Sequence, residues 1–392
     1  MKIYFHNPHN FIWYKTPINF WLHGRNSANK YEKLIDHIIE KEKCFNIYID
    51  SFNNAQSILN VIKKIIFKFI YLRLWCGINS IPYSKLNVVF DINKIEKNSF
   101  LFLFGLGVFW GDNEELMNKR RVLNKLFIND NVHLIVHFSH YQWSVKEFSS
   151  NLKLVNPAIL ICENDLMKNS PFFKQHFSWF KKTFLTVPFF IKDKFVHKKI
   201  FSERLPKCVI FGTLAPPMLD KDFVDFFGTD ELHPIRRKCY ESKDINKDLI
   251  ETLIFPAPNR FDKDSHSKEK LKETKMWNID IVNLYNNYMM FIAPEENGNI
   301  PGIGFMEGMI CGSVFLGSNK KIYDEYGLIP FKDYILFDGT YNGLITKIEY
   351  YLNNIDELKI IQLNSLEKSK SFNSKEVCGY LENRLTDFSR CI

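Results

Sequence analysis

The chain has 392 residues, of which 46% are hydrophobic and 24% are charged, and this composition excludes a disordered or fibrous protein. Its length favours two domains over one very large domain. The net charge of +8 is compatible with nucleic acid, an anionic membrane surface or a phosphorylated substrate, and charge alone does not choose among them.

The eight cysteines are scattered along the chain, without a CxxC pair and without a secretory signal at residues 1–14. We therefore expect reduced thiols in a cytoplasmic protein. No grouping of cysteine and histidine has the spacing of zinc ligands, so no zinc site is expected.

The most apolar stretch of the first half is Ser57–Gly77, which Lys63, Lys64, Lys68 and Arg73 interrupt. These charges make insertion of the segment into a bilayer core costly, but they are compatible with a helix that lies in the plane of the lipid headgroups. The alternative is an ordinary packed helix with one basic, solvated edge. The sequence leaves both interpretations open, the first implying peripheral contact with the inner membrane.

Short apolar runs alternate with helical patterns along the first half, as expected for a parallel α/β sheet. The predicted helices include Tyr31–Lys41 and Glu114–Phe127. The predicted strands are Lys2–His6, Phe45–Asp50, Asn87–Phe90, Leu101–Phe104, His133–His137 and Ala158–Cys162. This alternation predicts a doubly wound domain.

The chain turns polar and basic over Ile191–Lys207, and the alternation then begins again. We predict an N-terminal domain over residues 1–200, a second α/β domain over 201–365, and a C-terminal helical segment over 366–392 that packs back toward the first domain. The charged segment Asp262–Lys275 is interpreted as a surface loop. The predicted elements of the second domain are strands at Cys208–Phe211, Leu253–Phe255, Tyr288–Ile292 and Ser313–Leu316, and helices near Ile235–Glu241, Ile279–Asn287 and Ile303–Ile310.

The informative stretch is Tyr288–Gly317, which reads as strand, glycine-rich loop, helix, glycine stop and strand. Gly302 and Gly304 lack a β-carbon, so a ligand is able to approach the backbone there, and a helix N-terminus favours phosphate. Glu307 lies on an otherwise apolar helix, where a carboxylate needs a polar partner. Its two oxygens could accept the hydroxyl protons of a ribose diol.

This order of elements resembles the donor site of the GT-B glycosyltransferases, in which a glycine-bearing loop leads into a helix with Glu-x-x-x-x-Gly, here Glu307–Gly312. The resemblance implies two Rossmann-like doubly wound domains facing across a cleft. It also implies that Glu307 holds the ribose of a sugar nucleotide, and that Gly302, Ile303, Gly304 and Gly308 belong to the donor site.

The sequence departs from this pattern upstream of Glu307. Retaining members of the superfamily often carry another Glu eight residues before the ribose-binding Glu, and Asn299 occupies that position here. Glu295 and Glu296 are near, and a loop of different length would place either one against the donor sugar, so Glu296 is a candidate catalytic residue. Retention or inversion of the anomeric configuration is left open.

Further residues of the second domain extend the predicted donor site. Gly212 and Thr213 follow the first strand, where the loop faces the donor phosphates in GT-B enzymes, and an ordinary turn is the alternative. Arg236 and Arg237 are candidates to neutralise the leaving diphosphate without a bound metal, although paired arginines on a helix surface are common. His233-Pro234 resembles the His-Pro motif of bacterial sialyltransferases and related CMP-sugar enzymes.

The acceptor and the catalytic base are expected on the first domain, in loops after its strands. Those loops are His6–His9, Gly105–Asp112 and Ser139–Tyr141. Asp112 and His140 are the candidate bases that would remove the proton of an acceptor hydroxyl.

The resemblance thus implies a metal-independent glycosyltransferase that needs no cofactor besides its nucleotide-sugar co-substrate. The donor would be a UDP-, GDP- or CMP-sugar, and the acceptor a glycan or lipid-linked molecule of bacterial surface polysaccharide, such as lipopolysaccharide or capsule. The alternatives are a CMP-sugar transferase of the Kdo or sialic-acid type, an epimerase of the same fold, and a two-domain nucleotide- or nucleic-acid-binding regulator. No nucleic-acid-binding motif supports the last of these.

Overall fold

The structure is a computed structural model that describes residues 2–8, 31–50, 58–104, 132–256 and 279–391. The predicted helix Glu114–Phe127 and the charged segment Asp262–Lys275 lie outside the described residues. The chain divides into two compact units. The first comprises Met1–Cys162, His176–Phe190 and Val377–Ile392, and the second comprises Glu163–Gln175 and Ile191–Glu376.

The first unit is built on a seven-stranded parallel sheet in the order β3-β2-β1-β4-β5-β6-β7. Its central strands are buried on both faces, which explains why they are mostly apolar and do not alternate with polar residues along their length. The strands are β1 (Ile3–His6), β2 (Phe45–Tyr48), β3 (Leu86–Val89), β4 (Phe100–Phe104), β5 (His133–His137), β6 (Ile159–Cys162) and β7 (Thr183–Thr186). All six predicted strands are present.

The seventh strand, β7, was not predicted as a strand. It lies at the edge of the sheet and only Leu185 of its four residues is buried, so no apolar run marks it. Because the strand order reverses between β1 and β4, the sheet is doubly wound, as predicted.

Helices cover this sheet, and the described ones are α1 (Glu32–Glu42), α2 (Ile58–Ile66), a π-helical turn (Phe67–Tyr71), α3 (Leu72–Ile78) and α4 (Val145–Val155). In the described part of the chain no helix is long and apolar enough to cross a bilayer. The last helix, α14 (Ser374–Arg390), buries Val377, Cys378, Leu381 and Leu385 in the core of this unit.

The second unit has a five-stranded parallel sheet in the order β12-β11-β10-β8-β9. The strands are β8 (Leu205–Leu214), β9 (Ile250–Pro256), β10 (Tyr288–Ile292), β11 (Val314–Gly317) and β12 (Ile335–Leu336). The order reverses between the neighbours β8 and β10, so this sheet is also doubly wound. The predicted strands are present, and β12, which has only two residues, was not predicted.

The described helices of the second unit are α5 (Leu166–Asn169), α6 (Pro171–Phe177), α7 (Lys221–Phe227), α8 (Pro234–Glu241), α9 (Ile281–Asn287), α10 (Gly304–Ile310), α11 (Lys320–Glu325), α12 (Tyr341–Asn353) and α13 (Ile355–Ser369). Helix α6 begins in this unit and ends in the first. The buried core of the second unit joins Ile210, Met290, Ile292, Leu316 and Leu344, from three central strands and α12.

Candidate active site

The point at which the strand order of the second sheet reverses is formed by the carboxyl ends of β8 and β10. Ligands of open α/β sheets bind at such a point, because the loops leaving the two strands diverge there. Gly212 and Thr213 lie at the end of β8, and Ala293–Gly302 follows β10. The residues predicted for donor binding come from these two segments and from the helices α8 and α10.

Helix α10 carries Glu307 on an otherwise buried surface. Phe305, Met306 and Met309 have no exposed surface, whereas Glu307 is half-buried one turn into the helix. The apolar residues anchor α10 on the sheet, and a carboxylate at this position keeps access to polar partners. The sequence predicted an apolar helix with one charged residue, and the structure has this helix.

Two glycines of α10 are required by packing. A β-carbon on Gly304 would lie 2.7 Å from the hydroxyl of Tyr285, and one on Gly308 would overlap the ring of Phe291. Gly302 differs, because a β-carbon there would lie 3.6 Å from the carbonyl oxygen of Pro294, at an ordinary contact distance. Of the three, Gly302 is therefore the glycine that packing does not explain.

Tyr285 is a buried residue of this site that the sequence did not predict. Burial raises the pKa of its phenol well above the usual value, and the negative charge of Glu307 adds to that effect while Arg236 opposes it. Tyr285 is therefore within the electrostatic reach of both charged side chains. A tyrosine in a short amphipathic helix, here α9, gives no sequence signal of such a position.

Arg236 lies against the end of β8. Its Nη1 donates to the carbonyl oxygen of Thr213 at 2.8 Å, and a β-carbon on Gly212 would lie 3.1 Å from its Cζ. Gly212 has φ +149°, a conformation that glycine adopts without strain. The sequence predicted a loop at Gly212 and Thr213, but β8 continues through Leu214, because both residues pair with β9.

Arg236 is a half-buried residue, and the Nε atom of its guanidinium is shielded from solvent. Burial lowers its pKa to about 10, and the negative charge of Glu296 opposes this shift, so the group is charged at neutral pH. Its Nε is buried and has no hydrogen-bond partner among the described residues. A buried charge with an unsatisfied donor is costly unless an anion or another acceptor pairs with it.

Glu296 and His233 face each other near Arg236. The distance from His233 Nε2 to Glu296 Oε1 is 3.9 Å, and the two side chains are 11% and 12% exposed. Asn297 joins the two segments, because its backbone nitrogen donates to the carbonyl oxygen of Leu232 at 2.8 Å. The structure thus places Glu296, His233 and Arg236 together.

The His233-Pro234 dipeptide also has a local structural role. His233 is the N-cap of α8 and Pro234 is the first helical residue, a position that proline favours because its missing N–H is not needed there. This role accounts for Pro234 without a CMP-sugar.

Arg237 and Glu295 are adjacent in sequence to Arg236 and Glu296, but they contact other residues. Arg237 Nε forms an ion pair with Glu231 Oε1 at 2.7 Å. Glu295 accepts hydrogen bonds from the backbone and hydroxyl of Ser318, from the backbone of Asn319 and from the hydroxyl of Tyr323. These contacts tie Glu295 to the start of α11.

Asn299, at the position of the expected upstream Glu, is also tied into the protein. It has φ +67°, a left-handed conformation that Asn tolerates. Its side chain donates to the carbonyl oxygen of Asn169 and accepts from Asn319 Nδ2 at 3.1 Å. The amide therefore joins α5, α11 and the loop after β10.

In the first unit, the candidate base His140 follows β5 in a left-handed conformation, φ +55°, and precedes a 3₁₀ turn over Tyr141–Trp143. The other candidate base, Asp112, lies outside the described residues, as does His9. At the carboxyl ends of β1 and β2, His6 Nε2 lies 2.9 Å from Asp50 Oδ2. The structure therefore adds a His–Asp pair that the sequence did not predict.

Among the described residues, no group of three or more His, Cys, Asp or Glu side chains could hold a metal ion. Arg236 is the described cation that donates to Thr213 at the end of β8.

The two doubly wound parallel sheets are those of the GT-B fold, which the GT-B glycosyltransferases share. Solved structures with this architecture align with the whole chain, whereas no family model and no curated protein matches the sequence. Sucrose-phosphate synthase from Thermosynechococcus elongatus is similar over 100% of both chains, with 11% identity and a TM-score of 0.55. HepE from Anabaena, solved with UDP and glucose, covers 98% of this chain and 99% of its own, with 11% identity and a TM-score of 0.52.

The same Anabaena protein has also been solved with UDP-glucose. That structure covers 99% of this chain and 100% of its own, with 12% identity and a TM-score of 0.50. At these identities the similarity establishes the fold, and the activity has to be argued from the site.

Proposed function

We propose that this chain is a glycosyltransferase that moves a sugar from a nucleotide-sugar donor to a glycan or lipid-linked acceptor. The observation that carries the proposal is the arrangement at the ends of β8 and β10, where Arg236 donates to Thr213 with its Nε unsatisfied among the described residues, and where α10 carries the half-buried carboxylate of Glu307. A carboxylate suits a ribose diol and a guanidinium suits a diphosphate, so the two charges match the two ends of a nucleoside diphosphate.

In this proposal Glu307 accepts hydrogen bonds from the ribose hydroxyls, and Gly302 and Ile303 lie against the donor. Arg236 donates its unsatisfied Nε–H to the diphosphate and stabilises the negative charge that develops on the leaving group. No metal ion is needed for that step. Glu296 and His233 line the same site, and Glu296 is the carboxylate that we assign to the donor sugar.

The contacts of the remaining predicted residues favour supporting roles. Arg237 holds Glu231, and Glu295 holds the start of α11, so neither is assigned to the donor. Gly304 and Gly308 allow α10 to approach Tyr285 and Phe291. Gly212 makes room for Arg236, and Thr213 contributes a carbonyl oxygen.

We further propose a UDP-sugar as the donor. Support comes from the full-length structural neighbour solved with UDP and with UDP-glucose. The position of Pro234 at the start of α8 explains the proline without a CMP-sugar, which weakens the sequence argument for CMP-sugars, and no contact among the described residues favours GDP-sugars. The base that accepts the acceptor's proton is assigned to the first unit, to His140 or Asp112, and bacterial surface polysaccharide is the proposed pathway.

A donor panel tests this proposal. The protein is incubated with UDP-, GDP- and CMP-sugars, and thermal shift and nucleotide release are measured for each. We expect stabilisation and release with UDP-sugars only. The absence of a response to every donor would refute the transferase assignment, and a response to CMP- or GDP-sugars alone would refute the choice of UDP.

The measurements are repeated with Glu307→Ala and with Glu349→Ala. Glu349 is exposed on α12, so its replacement removes the same charge without touching the proposed site. Equal responses of the two variants would remove Glu307 from the donor site.

A further inference from the structure

The helical segment Ile58–Ile78 leaves a continuous apolar surface uncovered. Leu72, Trp75 and Cys76 anchor the segment in the core of the first unit, with at most 1% of their surface exposed. On the other side lie seven large apolar residues that are each 46–57% exposed. They are Val61, Ile62, Ile65, Ile66, Phe69, Ile70 and Leu74, which we call the apolar strip.

The apolar strip is unusual within this protein. The other exposed large hydrophobic residues of the described chain are dispersed through it, which is normal for a folded protein. Residues of the strip recur at spacings of three and four, so they share a helix face and form one patch. A contiguous exposed patch of this kind marks an interaction surface.

The charge of the segment is of one sign. Lys63, Lys64, Lys68 and Arg73 lie between Ile58 and Ile78, and no Asp or Glu does. An amphipathic helix with apolar residues on one face and Lys or Arg at its borders matches the interface of an anionic bilayer.

A groove of about 580 Å³ adjoins the apolar strip. We call it the lysine groove, because Lys64, Lys68 and Lys94 line it together with Ile65 and Phe69 of the strip. None of the three ammonium groups forms an ion pair with a described residue. Lys64 Nζ lies 4.6 Å from the ring centroid of Phe90, and Lys68 Nζ lies 5.7 Å from that of Phe69.

Two acidic residues also line the groove, but both have other partners. Glu96 forms an ion pair with Lys2, and Asp91 Oδ1 accepts a hydrogen bond from the backbone of Asn93 at 3.0 Å. Asp91 keeps its negative charge, but the three lysines outnumber it and Glu96 is paired with Lys2, so the lysine groove carries a net positive charge beside exposed apolar side chains.

We propose that the apolar strip and the lysine groove together dock the first unit onto a bilayer that contains anionic phospholipids. The lysines contact the headgroup phosphates, and the side chains of the strip enter the boundary between headgroups and acyl chains. A protein partner would match the apolar face, but the adjoining groove of three unpaired lysines matches an array of phosphates better. This surface belongs to the first unit and does not depend on the proposed donor site.

Vesicle flotation of the full chain tests this proposal, with vesicles of phosphatidylcholine alone or mixed with phosphatidylglycerol. We expect binding to the mixed vesicles, weaker binding to phosphatidylcholine alone, and loss of affinity as salt is raised. Two variants should each lower the affinity for the mixed vesicles by about tenfold or more. One is the double variant Ile65→Ser with Ile66→Ser. The other is the triple variant Lys64→Gln, Lys68→Gln and Lys94→Gln.

Matched control variants remove the same groups elsewhere. Ile360 and Leu363 are 60% and 57% exposed on α13, so Ile360→Ser with Leu363→Ser controls for lost apolar surface. Lys332, Lys359 and Lys375 are exposed in the second unit, and their replacement by Gln controls for lost charge. Thermal unfolding verifies that every variant folds, which is expected because the changes are at the surface.

Three outcomes would overturn the proposal. They are absence of binding to mixed vesicles at low salt, equal losses in the test and control variants, and a dimer that Ile65→Ser with Ile66→Ser converts to monomer. The dimer would show that a second copy covers the strip. Donor binding is measured on the same samples, so failure of docking and failure of the transferase assignment are distinguishable.

Discussion

Arg236 donates from Nη1 to the carbonyl oxygen of Thr213 at 2.8 Å, and this bond ties α8 to the end of β8. Nε of the same guanidinium is buried, and it has no hydrogen-bond partner among the described residues. A diphosphate oxygen would satisfy it, which is the physical basis for placing the donor's phosphates at this point.

The first prediction concerns the two neighbouring arginines. Arg236→Gln should weaken binding of UDP by about tenfold or more, because it removes a charge-assisted hydrogen bond to phosphate. Arg237→Gln is the matched control, since it removes the ion pair with Glu231 and should lower the free energy of unfolding by about 1 kcal/mol or less. Calorimetric titration with UDP and urea unfolding measure both effects. Weaker UDP binding in Arg237→Gln alone would reverse the assignment.

The second prediction concerns Glu307. Glu307→Gln should lower affinity for UDP and for uridine, because an amide retains only one acceptor for the ribose hydroxyls. The fold should persist, since the side chain is half-buried at the surface of α10. Titrations with uridine and with inorganic pyrophosphate separate ribose from phosphate contacts. A loss confined to pyrophosphate would contradict the ribose assignment.

The third prediction separates glycines that serve packing from one that serves a ligand. Gly308→Ala should destabilise the protein by about 1–3 kcal/mol, because its methyl group would overlap the buried ring of Phe291. Gly302→Ala should alter stability little, because the new β-carbon has space, but should weaken donor binding. Urea unfolding and donor titration of both variants measure this. Combining Gly308→Ala with Phe291→Leu should recover part of the lost stability, and no recovery would refute the packing explanation.

The fourth prediction concerns the last helix. Glu382 on α14 accepts hydrogen bonds from Lys41 at 2.8 Å, and its Oε2 lies 3.2 Å from His37 Nε2. Burial by itself raises the pKa of Glu382, but the hydrogen bond from Lys41 and the proximity of His37 outweigh it, so the pKa falls below its ordinary value of 4.5.

A carboxyl group whose pKa is lower in the folded state stabilises the protein above its unfolded-state pKa. That stabilisation is lost as pH falls from 4.5 through the folded-state value. Glu382→Gln should therefore lower the free energy of unfolding by about 0.5–1 kcal/mol at neutral pH and have less effect in acid. Urea unfolding at several pH values measures this, with Glu376→Gln, exposed on the same helix, as the control. An equal loss at every pH would contradict the electrostatic explanation.

Much of the fold was predictable because each buried strand is a short run of mostly apolar residues. β5 and β10 are examples, and both lie where the sequence predicted them. β7 and β12 were missed, because an edge strand with few buried residues leaves no such run. Glu307 was predicted as a donor-site residue because a charge within an apolar helix stands out locally.

The sequence by itself determined the alternation of strands and helices, the glycine-bearing loop and the carboxylate on α10, because each is written in adjacent residues. Only the tertiary structure decided between neighbours: Arg236 rather than Arg237 lies at Thr213, and Glu296 rather than Glu295 lies beside His233. The deciding partners are distant in sequence and come together only when β8, β10 and α8 pack. The local sequence pattern shows which residues are buried. Which polar side chains contact each other depends on how the strands and helices pack.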